Sequence, residues 1–293
     1  MIGVEVLSQT QYDTVYNFLS FAIASMLFTA IFLLVSQRRV LPRYRTALVI
    51  SATVLGIATY HYFRIIESFD GAYETDAIGG IGDYVLVEGV AFNEAYRYVD
   101  WLLTVPLLLV EAVAVLALAR SESRRLLVRL VPASALMIAL GYPGELAMEN
   151  GERALWGALS TIPFLYILYV LFVELTKSMD RQPAEVRISI RNLRWLLLAS
   201  WGFYPIAYMF PMFGFDGADS FVLRQVGYTI ADVTAKAVFA LVIYKIARLK
   251  SFYDDAEFAA QELSKADGAL FREAAMTGGQ PGATSPPKQE AGA

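Results

Sequence analysis

Residues 223–247 read LRQVGYTIADVTAKAVFALVIYKIA. As a helix rising 1.5 Å per residue, this stretch spans a bilayer core of about 30 Å. Its charged residues are Arg224 and Lys245 near its ends and Asp232 and Lys236 inside. Six further runs of this kind lie at 15–36, 46–66, 98–119, 126–147, 154–175 and 193–213. One such run could be the core helix of a soluble protein. Seven in succession with short connections could not. The expected fold is an all-α integral membrane protein, a bundle of seven transmembrane helices.

The composition agrees. Of 293 residues, 57% are hydrophobic and 18% charged, with a mean hydropathy of +0.48 and no cysteine. A soluble domain is about 45–50% apolar and about 25% charged. The balance argues against a disordered chain, a nucleic-acid-coating protein and a disulfide-stapled domain. Without cysteine there is no thiolate metal site and no thiol nucleophile. His61 is the single histidine, so no histidine-rich zinc site is expected.

Charge sets the orientation. The first, third and fifth connections are basic (Arg38, Arg39, Arg43, Arg45; Arg120, Arg124, Arg125, Arg129; Lys177, Arg181, Arg187, Arg191, Arg194), and Lys245, Arg248 and Lys250 follow the seventh span. The alternate connections are acidic, with Asp70, Glu74, Asp76, Asp83 and Glu88 in the second, Glu149 and Glu152 in the fourth, and Asp216 and Asp219 in the sixth. Basic loops stay cytoplasmic, which places the N-terminus outside and the C-terminus inside. No basic region precedes the first run, so the first helix is expected to target the chain to the bacterial plasma membrane as a multi-pass protein. The long second connection, 68–90, has a strand-like Tyr84-Val85-Leu86-Val87 and several glycines, which predicts a short external β-hairpin. Residues 1–252 form the membrane domain in this reading. Residues 253–293 are a cytoplasmic tail, helical in character to 275 and disordered from 277.

Ionisable residues inside a span cost at least a few kcal/mol each and mark function by default. Here they are His61 and Arg64 on span two, Arg97, Asp100 and Glu111 on span three, and Asp232 and Lys236 on span seven. Arg97, Asp100, Thr104, Leu108 and Glu111 follow at intervals of 3, 4, 4 and 3, on one helical face. Asp100 and Glu111 are roughly 16 Å apart along that face, Asp100 toward the outside. A mid-bilayer Lys236 must be paired, neutral or modified, and Asp100, Asp232 and Arg97 lie near its depth. One reading is a structural salt-bridge network in a transporter or receptor. The other is a protonated Schiff base between Lys236 and an aldehyde, with the two aspartates as counterions and Glu111 a proton donor on the far side. Trp201, Tyr204 and Tyr208 form an aromatic face around Pro205, near Trp101. Such stripes usually pack cores, but at the depth of a buried lysine they suit a flat conjugated ligand. Trp156 and Tyr166 extend the aromatic set on span five.

These segments resemble the microbial (type I) rhodopsins over about residues 10–250. Arg97-Tyr98-Val99-Asp100-Trp101, with Thr104 and Pro106, is similar to the family's Arg-Tyr-x-Asp-Trp…Thr-x-Pro segment. Asp232-Val233-Thr234-Ala235-Lys236 is similar to its Asp-x-[Ser/Thr]-x-Lys signature, and Trp201-Gly202-Phe203-Tyr204-Pro205 to its Trp-x-x-Tyr-Pro. The resemblance implies all-trans-retinal on Lys236, Asp100 as counterion and proton acceptor, Asp232 as second counterion and Arg97 on the release side. It places Trp101, Met137, Gly141, Trp201, Tyr204, Pro205 and Tyr208 around the polyene, and Leu108 at a colour-tuning position where Leu is similar to green-absorbing relatives.

The trio Asp100, Thr104, Glu111 resembles that of proteorhodopsin- and xanthorhodopsin-like proton pumps. His61 resembles their counterion partner, although a lone histidine is more often a satisfied core residue. Gly157 stands where archaeal pumps carry Trp; in xanthorhodopsin-like pumps a glycine there opens a window for a carotenoid antenna. The paired glutamates of the archaeal release group are not evident, with Arg224 near one expected position and Phe213 near the other, which implies direct release by way of Asp100 and solvent instead of an early-release group. The expected function is light-driven outward proton pumping, a transport activity rather than an enzymatic one. The alternative is a sensory rhodopsin signalling through a partner protein, against which Glu111 weighs. The family forms trimers and pentamers, and the sequence does not choose between them.

Overall fold

A computed structural model describes residues 4–75, 82–147, 149–179, 182–214 and 217–265. Asp76, Gly79, Gly80, Arg181, Asp216 and the tail expected to be disordered, 277–293, lie outside the described residues. Contacts divide the chain into residues 1–250, which hold the bundle and the site, and residues 251–293.

Seven helical rods are present among the described residues. They are α1 (Gln9–Ser36), α2 (Pro42–Asp70), α3 (Ala95–Ala114), α4 (Arg120–Leu146), α5 (Asn150–Tyr169, continued through a π turn at Val170–Glu174 to Met179), α6 (Ala184–Tyr208) and α7 (Gly217–Val233, continued through a π turn at Thr234–Val238 into Phe239–Asp254). Five are long and apolar enough to cross a membrane on length and composition alone; α3 and α6 are the others. The reason is in their residues. Rod α3 carries Arg97, Asp100 and Glu111, all buried, and α6 carries Arg187, Arg191 and Arg194 in its first half. Neighbouring rods close a ring: each packs on the next, and α7 returns to α1.

Most rods overrun their apolar runs by a turn or so, because a helix continues into the polar interface wherever it can be capped. Ser8 caps α1 in a capping box with Gln11, and Pro42 opens α2, where its missing N–H is harmless. Rod α3 instead stops at Ala114, short of the expected 119, in a turn that puts Ala117 at φ 49°. Rod α6 ends at Tyr208, short of 213, and a 3-10 turn, Phe210–Phe213, follows. Pro106, Pro132, Pro143, Pro163 and Pro205 all sit inside helices, tolerated where neighbouring groups satisfy the backbone.

The second connection holds the hairpin, β2 (Tyr73–Thr75) against β3 (Tyr84–Leu86). A third strand, β1 (Val6–Leu7), completes the order β1-β3-β2. Tyr12 of α1 stacks flat on Tyr84 at 3.8 Å and donates to Asp70 at 2.6 Å, which ties the sheet to the bundle. Large apolar side chains face outward along the rods, among them Phe28, Val35, Ile162 and Leu165. In water such a surface would aggregate; against lipid it is the expected exterior.

Candidate functional site

Lys236 is buried, and its Nζ lies between two carboxylates, 2.8 Å from Asp100 Oδ2 and 2.6 Å from Asp232 Oδ1. The two acids are held differently. Asp232 Oδ1 also accepts from Trp101 Nε1 (3.0 Å) and the Tyr204 hydroxyl (2.6 Å), and Oδ2 accepts from the Tyr62 hydroxyl (2.7 Å) with Arg97 at 3.8 Å. Among the described residues Asp100 has Lys236 alone as a close cation; the Thr104 hydroxyl donates to the Asp100 backbone carbonyl (2.8 Å) instead of its carboxylate. Bonds to a charged acceptor contribute about 1.5–3 kcal/mol each. A proton on Asp232 would therefore forfeit several, and a proton on Asp100 only the ion pair. Of the two acids, Asp100 is the one on which a proton forfeits fewer bonds.

Toward the hairpin end, Arg97 donates to the Tyr62 hydroxyl and to Gln225 Oε1, both at 2.9 Å. The Gln225 side-chain amide donates to Glu94, at the head of α3. Arg224 joins Glu94 (3.0 Å) to Glu145 (3.4 Å). Sequence reading located Arg224 but missed Tyr62, Gln225, Glu94 and Glu145, because each is ordinary in its own segment and gains meaning only where α2, α3, α4 and α7 meet. Phe213 is exposed.

Glu111 is fully buried near the opposite end of α3, and neither carboxyl oxygen has a hydrogen-bond partner among the described residues; Ser51 is its polar neighbour. His61 is buried, with Nδ1 unpartnered and its ring edge-on to Tyr60. Among the described residues no hydrogen bond joins it to Asp100. Arg64 is exposed and pairs with Glu67 (2.7 Å) and Tyr96 (3.1 Å), as an interfacial arginine does.

Lys236 opens into a cavity of about 840 Å³ of unfilled space, its open mouth included. Trp101 and Tyr204 bound it with Asp232 at the lysine end. Leu108, Met137, Gly141, Trp201, Pro205, Tyr208 and Gly157 line it farther along, together with Ser160, Thr161 and Phe164. Trp156 and Tyr166 are not among the lining residues; Tyr166 faces outward and accepts from Arg129 at 2.8 Å. The glycines make close approach possible. A Cβ on Gly157 would lie 2.8 Å from the Tyr208 ring, and one on Gly144 would lie 1.9 Å from the Tyr208 hydroxyl. Thr161 lines the cavity and is itself an exposed residue.

The comparisons with known proteins agree with this geometry. Residues 14–249 match the family described as bacteriorhodopsin-like protein. The chain is 30% identical over 227 residues to the green-light absorbing proteorhodopsin of Gamma-proteobacterium EBAC31A08, covering 76% of this chain and 82% of that protein. It is similar to the crystal structure of a thermophilic rhodopsin (TM-score 0.81, 46% identity, 86% of this chain and 99% of that one). It is equally similar to xanthorhodopsin, described as a light-driven ion pump with dual chromophore (TM-score 0.81, 47% identity, 86% and 99%). The chain is a multi-pass membrane protein and belongs to the bacteriorhodopsin-like family, the microbial type I rhodopsins.

Proposed function

We propose that the protein is a light-driven outward proton pump that carries retinal on Lys236. The observation that supports this best is the placing of three acids around one buried amine: Asp100 and Asp232 against Nζ, and Glu111 roughly 16 Å along α3 toward the basic end. The cavity fits a flat conjugated aldehyde, because it starts at a buried amine and runs between aromatic side chains. When bound, retinal supplies the light-driven isomerisation that changes which side the Lys236 nitrogen faces.

The residues do the rest. Asp100 takes the proton of the Lys236 nitrogen, on the hairpin side that the charge rule places outside. Asp232, fixed by its donors, stays charged and keeps Tyr204, Trp101 and Tyr62 in position. Glu111, fully buried with Ser51 as its polar neighbour, holds a proton and gives it to the nitrogen from the other side. Direction follows from the two acids lying on opposite sides of the lysine. Protonating Asp100 from an acidic medium shifts absorption to the red and stops transport. Cells or vesicles bearing the full chain and retinal should acidify the outside in light, and a protonophore should abolish the change. No acidification would favour the sensory alternative.

Glu111→Gln should leave colour nearly unchanged and slow the refilling of the Lys236 nitrogen by roughly 100-fold, as loss of a positioned proton donor does. Flash photolysis reads that step directly, and an unaltered rate would remove Glu111 from the donor role. Thr161, a cavity-lining residue that is itself exposed one helical turn from Gly157, supports a carotenoid antenna at this place. In Gly157→Trp, with the carotenoid supplied, the antenna bands should vanish from the action spectrum. Their persistence would rule out that seat.

A further inference from the structure

The end of the bundle opposite the hairpin holds another buried lysine, Lys250 of α7, 6% exposed. Its Nζ donates to the Leu116 carbonyl oxygen at 3.0 Å and to Gln182 Oε1 at 2.7 Å, and lies 5.5 Å from the centre of the Tyr44 ring. Tyr44 is in the first turn of α2, Leu116 in the connection after α3 and Gln182 in the connection before α6. One ammonium thus joins α7 to α2 and to two connections. The Leu116 contact bears on Glu111. The Val115 N–H donates to the Glu111 carbonyl oxygen at 3.0 Å, and Leu116 is the next residue. There the chain leaves the helix, with Ala117 at φ 49°. Carbonyls at a helix end lack an intrahelical donor and favour a cation, and Lys250 is both donor and cation for Leu116. Glu111 is fully buried, and so are Val113, Val115 and Leu116 beyond it.

We propose that Lys250 is a positioning residue for proton uptake: it bolts the end of the bundle over Glu111, and its ties must slip before a proton from that side can refill the Glu111 carboxylate. This rests on the outward-pumping reading, in which the charge rule places this end inside. While Glu111 is protonated it is neutral, and nothing favours opening. Once its proton has gone to the Lys236 nitrogen, a bare carboxylate is left in the apolar interior, where an unpaired charge is costly. Water entering from this end lowers that cost, and entry in turn breaks the bonds of Lys250 to Leu116 and Gln182. The ties therefore set the rate of uptake, and they close the end again when Glu111 regains its proton.

The test makes two measurements on the retinal-loaded full chain. In the dark, backbone amide exchange read by mass spectrometry should rise in Lys250→Met over residues 112–118, by about tenfold, as the loss of a bond from a charged donor allows. In light, flash photolysis with a pH-indicating dye should show proton uptake faster by about the same factor. Colour and the transfer to Asp100 should be unchanged, which a general loosening of the bundle would not leave so. Lys250→Arg keeps the charge and the donors and should stay near the natural chain in both measurements. Unchanged or slower uptake in Lys250→Met overturns the proposal, and so does unchanged dark exchange. If that variant fails to fold, Gln182→Ala removes the 2.7 Å bond alone; it should speed uptake by a smaller factor, and no change there is equally fatal. Uptake unaltered in a chain that does acidify its medium sinks this role alone; absence of any acidification sinks the pump reading and takes this one with it.

Discussion

Lys236→Ala is expected to abolish visible absorption altogether when the protein is supplied with retinal, whereas the natural sequence gives a coloured pigment. The amine is the group in the cavity able to bond covalently to an aldehyde: it is buried, and it opens directly onto the aromatic slot. The substitution also strands Asp100 and Asp232 without their shared cation. Removing one partner of a buried ion pair costs about 3–5 kcal/mol, so the variant should melt earlier as well. Lys236→Gln keeps a donor between the carboxylates and separates the two effects: it should recover part of the stability and none of the colour. A visible band in either variant would move the attachment point elsewhere and overturn the assignment.

Asp100→Asn should have the next largest effect. Transport should fall by roughly 100-fold or more, the size of effect a positioned proton acceptor contributes, and the pigment should shift to the red. The colour change has a simple cause. A carboxylate 2.8 Å from the lysine nitrogen stabilises positive charge there in the ground state, and removing it narrows the excitation gap. Asp232→Asn should behave differently, because it also unseats Trp101, Tyr204 and Tyr62. Light-driven pH changes on vesicles and absorption spectra check both. An Asp100→Asn protein that still pumps at the natural rate would assign the acceptor role to another group.

The seven rods and the central cluster were legible for a physical reason. Span hydropathy is a property of neighbouring residues, and a charge inside a span is conspicuous against that background. Lys236, Asp100, Asp232 and Glu111 announce themselves this way. Tyr62, Gln225, Glu94 and Glu145 do not, because a tyrosine, a glutamine or a glutamate near a helix end is commonplace until the helices are placed side by side. The strand β3 shows its pattern, but β1 is two residues long, Val6–Leu7, and gains its identity only from its pairing with Tyr84 and Val85. The early end of α3 and the two π turns depend on backbone hydrogen bonding that no local composition encodes.

The π turn at Thr234–Val238 holds about one residue more per turn than the α-helix on either side of it. Asp232 stands at the end of the near half of α7 and Lys236 sits in the π turn itself, both lining the cavity, while the far half turns Ile243, Ile246 and Ala247 inward and leaves Leu241 outside. An α turn holds about 3.6 residues and a π turn about 4.4, so the five residues here cover nearly the angle that four would cover in an α-helix, and removing one lets the turn close to plain α geometry with the far half still facing the ring. Directed evolution of this protein should therefore tolerate a one-residue deletion after Lys236 better than a one-residue insertion: the turn already takes up one extra residue, as a slack link does in a chain.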